Sequence, residues 1–201
     1  MKMKIKPTVS YRIAKIISVI GHPFVLLALT VLISAVSALP LGRALTIGGI
    51  TVLLTVFPLL FIIRRQVSAG KWSDHDVSDA AERRSFYPVL ILIVALSLVI
   101  FYLLGFPRGL LLGMLISLAL LVAAMVINRR SKISLHLIFA VYFAVSLFAV
   151  GFWIGAIFLL LAAAVGWSRV KLARHTGAQV LSGAILGAAA GIGLLKAVGF
   201  F

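Results

Sequence analysis

The chain has 201 residues, of which 63% are hydrophobic, and it carries a formal net charge of +15 with no cysteine. Soluble domains are only about 45–50% apolar, so this composition excludes an ordinary soluble domain and indicates an integral membrane protein. The absence of cysteine also excludes disulfides and thiolate metal sites. Because little polar surface remains, we expect the positive charge to face membrane lipids or a phosphate substrate, and we expect no nucleic-acid partner.

The N-terminal stretch is basic over residues 1–15 and then apolar to about Leu39. A signal peptide begins in the same way, but no small-residue cleavage site follows soon after, so we interpret residues 16–38 as a retained first span behind a basic cytosolic arm. Pro23 is expected to kink this span. His22 is an ionisable group inside it and therefore a functional candidate by default. We nevertheless interpret His22 as a buried histidine bonded to a backbone carbonyl.

Apolar stretches of about 20 residues, enough to cross a bilayer core of about 30 Å, recur along the rest of the chain. They lie at residues 43–63, in two parts of 86–127 separated by a turn at 105–109, in two short helices within 135–167 split near 150–155, and at 177–199. Small residues at helical spacing in 183–193 indicate close helix packing. The sequence therefore predicts an all-α fold: a polytopic transmembrane helical bundle of six to seven spans that forms one integral membrane domain over residues 1–201.

The distribution of Lys and Arg predicts the orientation of this bundle. Sixteen of the nineteen fall in residues 2–15, 64–84, 129–132 and 169–174. Only Arg43, Arg108 and Lys196 remain for the other face. Since cytoplasmic loops are enriched in Lys and Arg, we predict that the N-terminus and the three polar loops are cytoplasmic. The short loops favour a prokaryotic plasma membrane.

The third polar loop, "WSRVKLARHTGAQV", contains the most specific motif. Histidine can shuttle protons or attack phosphorus near neutral pH. The order Ser-Arg, five residues, His, three residues and a polar residue resembles the SR-x5-H-x3-D motif of the type 2 phosphatidic acid phosphatase and haloperoxidase-like superfamily. Ser168, Arg169 and His175 match this motif position for position. Gln179 stands where the family usually has Asp.

The two preceding loops resemble the other motifs of that superfamily more weakly. In "KISLH", Ser134 and His136 match the Ser and His of a PSGH motif. In the first loop Arg83 fits the Arg of K-x6-RP, whereas Arg84 and Asp76 replace the Pro and the Lys. Order and spacing resemble the family across residues 70–190. The predicted active-site segments, all on one membrane face, are residues 64–85, 128–136 and 168–179.

The resemblance implies a lipid phosphate phosphatase that needs neither a cofactor nor a metal. His175 would be the nucleophile that becomes phosphorylated, His136 the general acid and base, and Gln179 the residue that orients His175. A phosphoryl group in transfer spreads negative charge over its oxygens, which positioned cations and N–H donors stabilise. The implied phosphate-binding residues are Arg169, Arg83, Lys132, Ser134 and Ser168. The implied substrate is a phosphomonoester or diphosphate of a lipid, either phosphatidate-like or polyprenyl.

All four acidic side chains of the protein lie between Asp74 and Glu82. If this window is helical, Asp76, Asp79 and Glu82 share one face, from which they would orient Arg83 and Arg84 or offset their repulsion.

Two alternative functions remain open at this point. Clustered carboxylates also suit Mg²⁺, so one alternative is that the acidic window serves a magnesium-dependent lipid or prenyl transferase. The other alternative is a non-catalytic protein that binds or flips lipid phosphates on the same scaffold. Gln179 keeps this possibility open, because a neutral amide stabilises an imidazolium less than a carboxylate does.

Overall fold

The computed structural model describes residues 8–77 and 79–200, which form α-helices joined by short turns and contain no β-strand. The predicted all-α class is therefore confirmed. The helices are α1 (Val9–Ile20), α2 (Pro23–Ala38), α3 (Leu41–Thr51), α4 (Phe57–Ser68), α5 (Ala80–Leu103), α6 (Arg108–Ile127), α7 (Leu135–Ser146), α8 (Phe152–Lys171) and α9 (Gly177–Ala197).

Within residues 8–77 and 79–200, five elements are long and apolar enough to cross a membrane. Four of them are α5, α6, α8 and α9, and the fifth is Leu41–Ser68, in which a π-helical turn at Val52–Val56 joins α3 to α4. A sixth arises if α1 and α2, which are bent by 50° relative to each other, count as one span. The shorter apolar segment Leu135–Ala149 comprises α7 and a 3₁₀ turn.

The structure confirms one detail of the predicted spans and corrects another. The kink expected at Pro23 is present, because Gly21 and His22 separate α1 from α2 and Pro23 occupies the first position of the second helix. Proline suits that position because its fixed φ fits a helix start and its missing N–H is not needed there. The predicted division of 135–167 is present near Val150, but α8 is a full 20-residue helix and not a short one.

Helix α7 lies at the centre of the bundle. Every residue from His136 to Ala144 is buried, as expected for a helix that other helices surround.

Helix α9 packs directly against α7 through a stripe of glycines. A Cβ atom on Gly183 would come within 2.8 Å of the Ser134 carbonyl oxygen, and one on Gly191 within 2.6 Å of Val145 Cβ. On Gly187, between them, a Cβ would overlap the Ile138 carbonyl. Small residues let helix backbones approach this closely, as predicted for 183–193. The contact fixes the N-terminal ends of α7 and α9, and therefore two of the polar segments, beside each other.

Candidate functional site

Arg169 lies in the last turn of α8 and connects three distant parts of the chain. Its Nη1 donates to Asp76 Oδ2 at 2.8 Å and to Ser18 Oγ at 2.7 Å. The residue is 2% exposed, and its Nε has no hydrogen-bond partner among the residues that the structure describes. A buried guanidinium needs a counter-ion, and Asp76 supplies it. The Nε–H donor of Arg169 is therefore available to a ligand.

Lys132 and Arg174 join the second and third polar segments. Lys132 Nζ donates to the carbonyl oxygen of Arg174 at 2.7 Å, and the Arg174 side chain pairs with the Asp74 carboxylate. Burial lowers the pKa of Lys132, and the positive charges of Arg83, Arg169 and Arg174 lower it further, whereas Asp74 raises it. Four cations therefore converge at one end of the bundle, and a bound anion would relieve their repulsion.

His175 follows α8 and lies within hydrogen-bond distance of Gln179, with 3.3 Å between His175 Nδ1 and Gln179 Oε1. The same oxygen accepts the Thr176 N–H at 3.2 Å, while the Thr176 side chain caps the backbone N–H of Gln179. Since Oε1 can only accept, Nδ1 of the imidazole must donate. In the neutral ring the lone pair then resides on Nε2.

The electrostatic surroundings keep this imidazole neutral. Burial lowers the pKa of His175 to about 3, Arg169, Lys132 and Arg83 act in the same direction, and the hydrogen bond with Gln179 opposes them. At pH 7 the side chain is therefore an uncharged base with a free Nε2 lone pair, surrounded by cations. A histidine that attacks an electrophile requires this state.

Ser134 and His136 stand at the start of α7, opposite His175. Ser134 is fully buried, its backbone N–H points to the Gln179 carbonyl at 3.4 Å, and its Oγ has no partner among the described residues. Nε2 of His136 is also buried and has no hydrogen-bond partner among the described residues. Arg169, His22 and His175 lie close enough to His136 to act on it electrostatically. Buried polar atoms without partners are rare in proteins, and these two mark a place for a ligand or water.

The acidic residues do not share a helical face, so that expectation is wrong. Helix α5 begins only at Ala80, with Asp76 in the preceding turn and Asp79 as the N-cap residue that accepts from backbone N–H groups. Glu82 accepts the Ser73 N–H at 2.6 Å. Asp76 pairs with Arg169, a partner that the sequence did not indicate. The carboxylates therefore act at separate places.

The turn that carries Asp76 is conformationally unusual. Val77 has φ 48° and is buried, although β-branched residues rarely adopt a left-handed backbone. Such strain persists only where the surrounding structure fixes it. The left-handed backbone of Val77 therefore indicates that its surroundings hold this turn in one conformation. The same turn carries Asp76, the counter-ion of Arg169.

Two predicted site residues have other surroundings. Ser168 is buried in α8 and donates its hydroxyl proton to the Val165 carbonyl at 2.7 Å, so it does not offer that proton to a phosphate, contrary to the sequence interpretation. Arg84 is exposed and lines a separate pocket with Asn128 and Arg129. Arg83 also lines that pocket while acting electrostatically on His175.

His22 has a different role from the one the sequence predicted. Its Nδ1 accepts the Phe24 N–H at 3.3 Å, so that it caps α2 instead of binding a carbonyl. The centroid of its ring lies 5.1 Å from that of His136. The sequence marks His22 as a functional candidate because it is an ionisable residue within an apolar run. Ser18, a neutral residue in a helix, gave no comparable signal.

An open cavity leads from this site into the bundle. Its polar end is formed by His22, His75, Asp76 and His136. Its walls are mainly apolar side chains of α2, α4, α5, α6 and α7. A second cavity shares Leu27, Met114, Ser117 and Phe143 with the first. It reaches Leu39, Pro107 and Val198 at the opposite end of the bundle. A mainly apolar lining therefore extends from the polar cluster toward the opposite end of the bundle.

Comparison with known proteins identifies no relative: no family model, no curated protein and no solved structure matches this chain.

Proposed function

We propose that this protein is a membrane-embedded lipid phosphate phosphatase that forms a phosphohistidine on His175. The observation that carries the proposal is the arrangement of the three polar segments. They bring together a neutral histidine, four cations and buried polar atoms that have no partner among the described residues, next to Asp76 and His136, which line an apolar cavity. The motif spacing in the sequence supports the same chemistry.

The charge of the site suits a phosphate group. Arg83, Lys132, Arg169 and Arg174 contribute four positive charges, and Asp74 and Asp76 remove two of them. A phosphomonoester carries a charge of about −1.5 to −2 at neutral pH, so the two remaining positive charges balance it. In a water-poor site these contacts are stronger than they would be in water.

The proposed reaction has two steps. In the first, the anionic head group allows His136 to take up a proton as the substrate binds. The Nε2 lone pair of His175 then attacks phosphorus, the bond from phosphorus to the lipid oxygen breaks, and His136 donates that proton to the oxygen. In the second, His136 removes a proton from water, the water oxygen attacks the phosphohistidine, and the P–N bond breaks. The products are a lipid alcohol, or a lipid monophosphate from a diphosphate, and inorganic phosphate.

The position of His136 agrees with this division of roles. His136 lines the apolar cavity and is electrostatically coupled to His175. With the lipid tail in the cavity and phosphorus near His175, the leaving oxygen lies on the side of His136. A general acid must be within hydrogen-bond reach of the group that it protonates.

The two alternative functions have less support. A magnesium-dependent transferase needs several carboxylates around its metal, whereas these carboxylates contact separate partners. A non-catalytic binder would use the same cations as the phosphatase. The two differ in that only the phosphatase hydrolyses the bound lipid phosphate.

The test is phosphate release by purified protein from phosphatidic acid, phosphatidylglycerol phosphate, and polyprenyl mono- and diphosphate, each with and without a chelator. We expect at least one lipid to be hydrolysed and His175→Ala to abolish turnover. His75→Ala is a matched control, because His75 is exposed, lines the same cavity and takes no part in the proposed chemistry. Acid-labile radioactive phosphate should appear on wild type only. Hydrolysis that survives His175→Ala would refute the mechanism, and binding without hydrolysis of any lipid would favour the binder.

A further inference from the structure

Three possible metal ligands meet at the polar end of the cavity. His22, Asp76 and His136 each offer one ligand atom, and the three atoms lie within 4.8 Å of one another. The residues come from the bend between α1 and α2, from the turn before α5, and from the first turn of α7. Packing of distant elements brings them together, and no local motif predicts the group.

The ligand types match one kind of ion. Two imidazole nitrogens and one carboxylate oxygen form a three-ligand set that Zn²⁺ accepts, with a further coordination position left open. Mg²⁺ and Ca²⁺ prefer oxygen ligands. Asp76 binds Arg169 through Oδ2, so its second oxygen can bind a metal while the guanidinium holds the carboxylate in place.

A second observation points to a ligand at the same place. His136 is 6% exposed, and its Nε2 forms no hydrogen bond to any residue within 8–77 and 79–200. A buried imidazole nitrogen without a partner loses its hydration without compensation. The cavity reaches His22, Asp76 and His136, which gives an ion a route to this nitrogen.

We propose that His22, Asp76 and His136 form a binding site for a divalent transition metal ion, with Zn²⁺ as the best fit, and that occupation of the site inhibits the enzyme. The inhibitory effect rests on the proposed function. A metal-bound imidazole nitrogen has no lone pair for a proton, so His136 can neither protonate the lipid oxygen nor activate water. The binding itself is independent of catalysis.

The binding experiment uses the purified full chain without a polyhistidine tag and Zn²⁺ alone, in competition with a chromophoric zinc indicator. We expect about one high-affinity zinc ion per wild-type chain. His22→Asn should weaken binding at least about tenfold, because Asn is a poor zinc ligand but remains a good helix N-cap, so α2 keeps its start. His75→Ala, which removes an exposed histidine beside Asp76, should bind as wild type does. Equal zinc affinity in wild type and His22→Asn, or none in wild type, would overturn the site.

The activity experiment separates the two proposals. Zinc should inhibit phosphate release by wild type, and His22→Asn should need at least about tenfold more zinc for the same inhibition. Zinc binding without hydrolysis of any lipid phosphate would refute the phosphatase and leave the site standing. Hydrolysis by a protein that binds no zinc would refute the site and leave the phosphatase standing. Binding that leaves hydrolysis unchanged or accelerates it would refute the inhibitory role of the site.

Discussion

Arg169 and Asp76 are separated by 93 residues in the chain, yet Arg169 Nη1 lies 2.8 Å from Asp76 Oδ2. Arg169 belongs to the strongest motif of the sequence, and Asp76 to the window that holds every acidic side chain. The pair joins the end of α8 to the turn before α5. The guanidinium at the centre of the site is therefore positioned by a carboxylate of the first polar segment.

This pair predicts a large effect of Asp76 on stability. Removing one partner of a buried ion pair costs about 3–5 kcal/mol, because the other charge stays buried and uncompensated. We expect Asp76→Asn to reduce the free energy of unfolding by about 3 kcal/mol, since the amide can still accept a hydrogen bond. Asp74→Asn is the control: the Arg174 side chain is 36% exposed, so its loss should cost at most about 1 kcal/mol. Denaturant unfolding in one detergent compares the two variants. Equal losses would mean that the Arg169 pair is no more important than a surface pair.

Gln179 should act through His175. Its Oε1 holds the His175 Nδ1 proton and the Thr176 N–H, so Gln179→Leu should lower kcat by about 10–100-fold with little change in KM. Gln179→Glu keeps the side-chain length and the capping box while adding charge, and it should retain or raise kcat. Steady-state kinetics on the best lipid substrate measures both. Equal losses in the two variants would show that the oxygen does not orient the imidazole.

Stability should depend on pH through His175. Its pKa is about 3 in the folded protein against an ordinary value of 6.5, so between these values the unfolded chain holds a proton that the folded chain does not. The stabilisation is complete above pH 6.5 and is lost as the pH falls toward 3. Between pH 7 and 4.5 the melting temperature of wild type should therefore fall more than that of His175→Gln. Parallel curves would contradict the lowered pKa, which burial and the charges of Arg169, Lys132 and Arg83 produce.

The glycine stripe on α9 should tolerate no side chain where it meets α7. Gly187→Ala places a methyl group against the Ile138 carbonyl, and overpacking of this kind costs about 1–3 kcal/mol. We also expect a loss of phosphatase activity, because the N-terminal ends of α7 and α9 would move apart. Gly193→Ala, on the same helix with open space around it, should leave melting temperature and activity unchanged. Equal behaviour of the two variants would show that α7 and α9 are not in close contact.

The orientation inferred from the cations can be tested cleanly because the protein has no native cysteine. Lys71→Cys lies in the first polar segment and Arg108→Cys at the opposite end of α5 and α6, both at exposed positions. In intact cells a membrane-impermeant maleimide should label position 108 and should reach position 71 only after the membrane is opened. The reverse pattern would place the site outside the cytoplasm.

Much of the fold follows from the sequence because apolar runs of sufficient length have few alternatives to membrane helices. The turn at 105–109 and the break near Val150 were visible as local Gly and Pro signals. The bend before Pro23 was anticipated as well. The full length of α8 was missed because its last turn carries Arg169 and Lys171, so the apolar run ends at 167, before the helix does.

The site was predictable from the sequence only where the interacting residues lie close together in the chain. The spacing from Arg169 to His175 and Gln179 is local, and the structure shows these residues as neighbours. The partner of Asp76 depends on how α8 packs against the turn before α5, and the roles of Ser18 and His22 depend on the bend between α1 and α2. Such contacts across the bundle leave no pattern in a single sequence. Ser168 is a different case. The motif predicted that it belongs to the site, but not that its hydroxyl donates to the Val165 carbonyl.

The cluster of Arg83, Lys132, Arg169 and Arg174 has a consequence for the end of the proposed reaction. Once the lipid alcohol has left, inorganic phosphate keeps its charge and every contact with those cations, while only the tail contacts in the cavity are gone. The same features that attract the head group therefore retain the product. For the proposed phosphatase, product inhibition by free phosphate follows, and the phosphate concentration beside the membrane would set its working rate.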